Sequence, residues 1–297
     1  MATQEQPNEI ERTIIQWAET RDEIRAVLLT STRAVPGARV DALSDYDVIL
    51  IVQSIQPFVE DRTWINDFGD VLVVYWDPVH PDGMWGIDTI ANVTQYADGL
   101  KIDFTLQPVS LFEKIVAAPA IPAELDAGYR ILLDKDGRTT SMLPPTGTAY
   151  IPKLPSRETY LTLINDFFSE APYVAKCLWR DELLPAKWCL DYDMKHTYLR
   201  QLLEWRVEID HDRSRSIGSL GKGLKKYLPS EIWEQFEGTF VGARLEDNWV
   251  ALAKTMEFLR EVAVEVGERL GFEYPHDMHQ RVSAYVEHIR QMKPSQH

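Results

Sequence analysis

The segment SDYDVILIV, residues 44–52, decides the fold, because it joins two carboxylates to a run of β-branched and aliphatic residues. Its apolar part is typical of a buried strand. Side chains alternate between the two faces of a strand, so Asp45 and Asp47 share one face, and Tyr46 and Val48 take the other. Two carboxylates on one face repel each other unless a cation lies between them. The segment predicts a magnesium site at the start of a strand; the alternative for an isolated Asp-x-Asp is two acids that cap a loop or face water.

A second amphipathic strand carries a third carboxylate, Asp103. In the sequence KIDFTL, residues 101–106, the isoleucine, phenylalanine and leucine form an apolar face, and Asp103 shares the opposite face with Lys101 and Thr105. The preceding Asp98-Gly99 pair predicts a hairpin that leads into this strand. If the two acidic strands are neighbours, three carboxylates converge, and such a set can hold magnesium for an in-line displacement at phosphorus.

The loop after the first predicted strand offers candidate phosphate ligands. Ser31, Thr32 and Arg33 lie in the polar loop that starts at Thr30, directly after the predicted strand 24–29. Small hydroxyl residues and backbone N–H groups can cradle a phosphate, and a guanidinium can neutralise it. An ordinary polar turn is the alternative for this tripeptide.

The remaining sequence divides into two parts of different pattern. Before residue 145, helix and strand patterns alternate: helices begin after Asn8 and cover 57–68 and 110–118, and strands cover 24–29, 46–52, 71–76, 92–97, 100–106 and 131–133. Prolines cluster within 141–155, as in a linker. Beyond it only helical periodicity remains, over 156–179, 185–205, 217–227, 230–236, 245–270 and 276–292. We therefore predict an α+β protein, with a mixed-sheet domain at 1–145 and a helical bundle at 146–297.

Charge narrows the classes of partner. The 297 residues include 46 acidic and 31 basic side chains, for a net charge of −15. This balance disfavours nucleic acid and anionic membranes, and it suits a cationic ligand or simply solubility. No run of about 18 apolar residues is present, and residues 1–7 do not resemble a secretion signal. We expect a cytoplasmic protein with no membrane or nucleic-acid partner; its oligomeric state is open.

In order and spacing, these segments resemble the nucleotidyltransferase superfamily that includes DNA polymerase β, and more closely the aminoglycoside 6-adenylyltransferase (streptomycin adenylyltransferase) family. The resemblance begins with the Ser-Thr-Arg, Asp-Tyr-Asp and Lys-Ile-Asp-Phe-Thr-Leu segments and continues through residues 132–136, 180–182 and 221–228. One position departs from the family, which has Gly-Ser where this chain has Ser31-Thr32. Glycine tolerates positive φ and lets the backbone approach a triphosphate, so Ser31 alters the expected nucleotide site.

The resemblance implies a magnesium-dependent transferase that moves AMP from ATP to a hydroxyl of an aminoglycoside such as streptomycin and releases pyrophosphate. It implies a nucleotidyltransferase catalytic domain followed by a helical substrate-binding domain. Two alternatives stay open: the same chemistry on another acceptor (a protein, RNA or a small metabolite), and a non-catalytic nucleotide-binding relative.

The resemblance also assigns residues to roles. The catalytic metal ligands are Asp45, Asp47 and Asp103. The nucleotide-binding residues are Ser31, Thr32, Arg33, Lys222, Lys226 and Tyr227. The residues that bind the cationic substrate are Asp181 and Glu182. For the two lysines, which lie four apart on a predicted helix, a solvated basic surface is the alternative.

Overall fold

The structure is a computed structural model that describes residues 6–35 and 37–292. Residues 1–5 of the polar N-terminal segment lie outside it. The chain divides into two compact units, Met1–Ala149 and Tyr150–His297. The predicted boundary, between residues 145 and 146, falls in the same proline-containing stretch. The first unit holds a mixed sheet with helices and the second is helical, so the predicted α+β class is confirmed.

The first unit begins with a helix whose start is fixed by a capping box. The Asn8 side chain accepts from the Glu11 backbone N–H, and the Glu11 carboxylate accepts from the Asn8 backbone N–H. The helices are α1 (Glu9–Glu19), α2 (Gln56–Glu60), α3 (Val109–Ala117) and α4 (Ala123–Asp126). The strands are β1 (Ile24–Thr30), β2 (Tyr46–Val52), β3 (Val71–Trp76), β4 (His80–Pro81), β5 (Asp88–Tyr96), β6 (Lys101–Pro108) and β7 (Tyr129–Asp134).

Within the described residues these strands form one seven-stranded sheet in the order β3-β5-β6-β2-β1-β7, with β4 paired to β5. Strands β2 and β6 are parallel, and the other pairs are antiparallel. The β5–β6 hairpin turns at Asp98-Gly99 as predicted, with Gly99 at φ 95°. The parallel pairing places the two acid-bearing strands side by side, which is the arrangement that the candidate metal site requires.

Apolar side chains cover both faces of the sheet. One core contains Val48 and Phe104 from the sheet, packed against Trp17 of α1 and Trp64. A smaller core on the other face contains Ile49, with partners from α3 and α4. On the face that carries the acids, apolar side chains therefore cover the C-terminal parts of β2 and β6. The acids lie at the N-terminal ends of these two strands.

The second unit consists of helices among the residues described. Its elements are α5 (Arg157–Trp179), α6 (Leu183–Lys187), a π-helix (Trp188–Leu199), α7 (Arg200–Asp210), α8 (Leu224–Tyr227), α9 (Ser230–Glu237), α10 (Leu245–Leu270) and α11 (His276–Gln291). Ser156 caps α5 through the Thr159 backbone N–H, and Gly271 ends α10 in the left-handed region at φ 75°. None of the helices in the described ranges has the length and apolarity needed to span a membrane.

Two predicted helices differ from the structure. The prediction of one helix over 217–227 is wrong: Gly218, Leu220 and Gly221 have φ values of 74°, 56° and 72°, which an α-helix excludes, and only the short α8 remains. The helix predicted over 57–68 is α2 followed by a 3₁₀ turn at Thr63–Phe68. In both places a helical sequence pattern is interrupted by backbone that turns out of the helix.

Candidate active site

Three carboxylates converge at the beginnings of β2 and β6. Asp47 and Asp103 are direct partners in the parallel register, and Asp45 immediately precedes β2. Neighbouring strands lie about 4.8 Å apart, so side chains of paired residues on one face are in close proximity. Asp103 and Lys101 alternate with the fully buried Ile102, as the amphipathic pattern predicts.

A lysine ammonium lies among these acids. Lys101 Nζ donates to Asp45 Oδ2 at 2.5 Å and to Asp103 Oδ2 at 2.9 Å. All three side chains are partly buried, with exposed fractions of 26%, 38% and 25%. Burial alone lowers the pKa of Lys101, but the two carboxylates outweigh it and raise the pKa above its ordinary value. The amine therefore stays charged and partly neutralises the acids.

The acids nevertheless hold excess negative charge. Burial raises the pKa of Asp47, the nearby Asp103 and Asp45 raise it further, and Ser31 and Lys101 oppose the shift. Burial also raises the pKa of Asp103, against the opposing effect of Lys101. Asp103 Oδ1 is buried and has no hydrogen-bond partner among the described residues. An unpaired carboxylate oxygen beside two further acids fits a divalent cation, since magnesium prefers such hard oxygen ligands.

The three acids do not form a compact ligand set in the structure. In the described ranges, one group of three potential metal-binding side chains has all its ligand atoms within 4.8 Å of one another, and it is not Asp45, Asp47 and Asp103. The ammonium lies between Asp45 and Asp103 and bonds both. A metal ion bound by all three acids would lie close to this ammonium, whose positive charge opposes its binding.

Ser31 begins a 3₁₀ turn, Ser31–Ala34, at the end of β1. Its φ is 59°, in the left-handed region that favours glycine. Its hydroxyl hydrogen-bonds to Asp47, and this bond lowers the pKa of that carboxyl. Through this bond Ser31 belongs to the acid cluster, which we define as Asp45, Asp47 and Asp103. The neighbouring Thr32 is exposed.

Arg33 fixes the loop that carries the first acid. Its Nε donates to the Asp45 carbonyl at 3.0 Å, and its Nη2 donates to the Ser44 carbonyl at 2.8 Å. The guanidinium also stacks on the Tyr46 ring, 3.8 Å from its centroid. Two N–H groups of Arg33 thus bind backbone carbonyls of the loop. The predicted role of Arg33 in binding phosphate stays a prediction.

The predicted nucleotide-binding residues of the second unit lie around α8. Lys222 and Lys226 are exposed, and the Lys226 amine lies 4.9 Å from the Tyr227 ring centroid. The Tyr227 carbonyl contacts His211 Nε2 at 3.2 Å. Lys226 lies on α8 and Lys222 lies just before it, and the break in the predicted helix comes before Lys222, at Leu220 and Gly221.

Asp181 and Glu182, the predicted substrate-binding acids, form the exposed turn between α5 and α6. Asp181 has a left-handed φ of 62°, and the Glu182 backbone N–H donates to the Cys177 carbonyl at 2.9 Å. These contacts define a tight turn that presents both carboxylates to solvent.

Sequence reasoning missed a second acid group, which the π-helix and α5 bring together. Glu170, Cys189 and Asp193 have their ligand atoms within 4.8 Å of one another, and Cys189 Sγ donates to Glu170 at 3.1 Å. The spacing of 189 and 193 indicates one helical face, but nothing in the sequence indicates the partner on α5. The nearby Asp191 is instead paired with Lys187 and Lys195, at 2.5 and 2.7 Å.

Comparison with known proteins gives consistent similarities over nearly the whole chain. The aminoglycoside 6-adenylyltransferase of Campylobacter jejuni is 29% identical over 287 residues, which cover 94% of this chain and 93% of that protein. The protein of the same name from Bacillus subtilis (strain 168) is 26% identical over 280 residues, covering 93% and 94%. A crystal structure of an aminoglycoside 6-adenyltransferase from Bacillus subtilis aligns with a TM-score of 0.43 at 22% identity, covering 96% of this chain and 100% of that chain.

The family comparison confirms the resemblance that the acidic segments indicated. The model of the streptomycin adenylyltransferase family matches residues 4–289, which include both acid-bearing strands and all the helices of the second unit up to α11. Since the match covers almost all of the 297 residues, the chain belongs to the streptomycin adenylyltransferase family.

Proposed function

We propose that this protein is an aminoglycoside adenylyltransferase that moves AMP from ATP to one hydroxyl of the drug, with magnesium as the cofactor and streptomycin as the first candidate acceptor. Membership of the family and the names of the relatives support adenylyl transfer to an aminoglycoside. The observation that carries the metal site is the convergence of three acids with one buried carboxylate oxygen unpaired.

The chain's own residues would position the reactants. Asp45 and Asp47 would hold the ion, and Asp103 would complete its ligand set. Magnesium, when bound, would supply the positive charge that stabilises negative charge on the transferring phosphate. Arg33 keeps the Asp45 loop in place through the Ser44 and Asp45 carbonyls. The site would thus act mainly by positioning and charge stabilisation.

The bond changes in this proposal are simple. The acceptor hydroxyl oxygen forms a bond to the α-phosphorus, the bond from that phosphorus to the bridging oxygen breaks, and pyrophosphate leaves. The hydroxyl proton would go to a carboxylate oxygen of Asp103, which lies beside the attacking hydroxyl in this proposal.

The second unit would contribute the remaining ligands. Lys222, Lys226 and Tyr227 would bind the triphosphate, and Asp181 and Glu182 would bind ammonium groups of the acceptor. The two lysines and the two acids are exposed, as binding of a ligand from solution requires. An acidic chain with a net charge of −15 also suits a polycationic acceptor.

The decisive experiment is pyrophosphate release from ATP and Mg²⁺ with a panel of aminoglycosides, streptomycin first. Asp47→Asn should lower the rate by about a thousandfold or more, because charge stabilisation at the phosphate is lost. The matched control is Asp88→Asn, the same chemical change at an exposed position at the start of β5. It should leave the rate unchanged.

The other outcomes select among alternatives. Binding of ATP with Mg²⁺ but no release with any drug would favour a different acceptor. Loss of ATP binding altogether would favour a non-catalytic relative. A fully active Asp47→Asn enzyme would refute the assignment of Asp47 to the metal site.

A further inference from the structure

Lys101 is placed by the sheet itself. It is the first residue of β6, two positions before Asp103, so both side chains project from the same face. The parallel register with β2 brings Asp45 within 2.5 Å of the Lys101 ammonium. The contact thus joins the start of β6 to the residue just before β2 through one positive charge.

The Lys101 ammonium and a divalent ion compete for the negative charge of the same carboxylates. Lys101 Nζ bonds one oxygen of Asp45 and one of Asp103, while the second oxygen of Asp103 stays buried and unpaired. With the lysine in this position, the three acids do not form a group whose ligand atoms all lie within 4.8 Å. A divalent cation held by all three acids would lie close to the ammonium, and the repulsion between the two positive charges favours movement of the ammonium away from at least one carboxylate.

We propose that Lys101 is a resident counter-cation of the acid cluster, which holds Asp45 and Asp103 together when no divalent ion is bound and releases them when one binds. This rests on the proposed function, because it requires these acids to be the metal site. Lys101 is a positioning residue in this role: it stabilises the metal-free sheet and weakens metal binding, so that the ion is held less tightly before the nucleotide adds its own phosphate oxygens.

The test compares Lys101→Met with Lys114→Met in the full chain. Methionine keeps most of the length of the side chain and removes the charge. Lys114 is exposed on α3 of the same unit, so its variant changes net charge equally away from the cluster. Mn²⁺ binding without nucleotide is measured by calorimetry, and the melting temperature is measured in EDTA and with Mn²⁺.

Lys101→Met should bind Mn²⁺ about tenfold more tightly than the unmodified protein, because a competing positive charge next to the ion is gone. Lys114→Met should stay within about twofold, since exposed charges at a distance are screened. In EDTA, Lys101→Met should melt at a lower temperature than Lys114→Met, and Mn²⁺ should raise its melting temperature more. A lysine with a purely structural role would lower stability without tightening metal binding.

A measurement on the unmodified protein tests the same point without a substitution. The rate of acetylation of the Lys101 amine, followed by mass spectrometry, should rise when Mn²⁺ frees it from the carboxylates, with Lys114 as the internal reference. An unchanged ratio of the two rates, or equal Mn²⁺ affinity in the two variants while the unmodified protein binds the ion, would overturn the role of Lys101 alone. Absence of Mn²⁺ binding in every protein would overturn the metal site and this inference together.

Discussion

Ser31 adopts a backbone conformation that suits glycine better than serine. Its φ of 59° costs a residue with a Cβ atom about 1–2 kcal/mol, and its hydroxyl bond to Asp47 offsets part of that cost. We expect Ser31→Gly to increase the free energy of unfolding by up to about 1 kcal/mol, measured with urea on the protein in EDTA. The gain would show that the strain outweighs the lost hydrogen bond.

Ser31→Ala is the control for this substitution, because alanine keeps the strained backbone and loses the hydroxyl. It should be less stable than the unmodified protein and less stable than Ser31→Gly. If Ser31→Gly instead proves the weaker of the two variants, the left-handed conformation at this residue is not a source of strain.

How far single residues could be predicted depends on whether their partners are local. Alternation along a strand was enough to place Asp103 and Lys101 on one face of β6. The shared face of Asp45 and Asp47 stays a prediction, because β2 begins at Tyr46, after Asp45. The contact of Lys101 with Asp45 was not predictable, because it depends on the register of two strands 56 residues apart in sequence. The roles of all these residues in catalysis stay predictions.

At the scale of elements, the π-helix is held to the rest of its unit by a buried lysine. Lys195 is fully buried, and its ammonium donates to Asp191 at 2.7 Å and to the Thr239 carbonyl at 2.6 Å. Burial lowers the pKa of Lys195, and Asp191 opposes that shift. Asp191 thus supplies the negative charge that offsets the cost of burying the Lys195 ammonium.

Asp191→Asn should therefore lower the free energy of unfolding by about 3 kcal/mol, because it leaves a buried ammonium without its counter-charge. The control is Lys187→Met, which removes the other, partly exposed partner of Asp191 and should cost about 1 kcal/mol or less. Both values follow from urea unfolding. Equal losses in the two variants would mean that the buried pair with Lys195 is not what stabilises the π-helix.

Elements were predictable where the sequence pattern was long and its ends were marked. Helix α10 has the predicted bounds, because an amphipathic pattern over 245–270 ends at Gly271. The break before α8 was missed although Gly218 and Gly221 stood within the predicted helix, since glycine is tolerated in helices when packing favours it. The π-helix was not predicted, because π-helices are rare and a helical sequence pattern by itself predicts an α-helix.

For the whole molecule, the sequence divided the chain into a mixed-sheet part and a helical part, because only the first part contains strand patterns. The order of the strands could not be predicted from the sequence, because the position of β2 between β1 and β6 follows from tertiary packing and not from any local signal. The charge, in contrast, is a property of composition alone. With 46 acidic and 31 basic side chains, the molecule carries a long-range negative field.

That field should appear in the kinetics of a cationic acceptor. Raising the ionic strength from about 0.1 M to about 1 M shortens the Debye length from about 10 Å to about 3 Å, which removes long-range attraction. We expect the KM for a polycationic aminoglycoside to rise several-fold over this range, because attraction to the acidic surface supports its binding. The KM for ATP with Mg²⁺, whose complex is anionic, is measured in the same series as the control and should not rise in parallel. A KM for the aminoglycoside that does not depend on salt would show that its binding relies on close contacts alone, and that the acidic composition serves solubility.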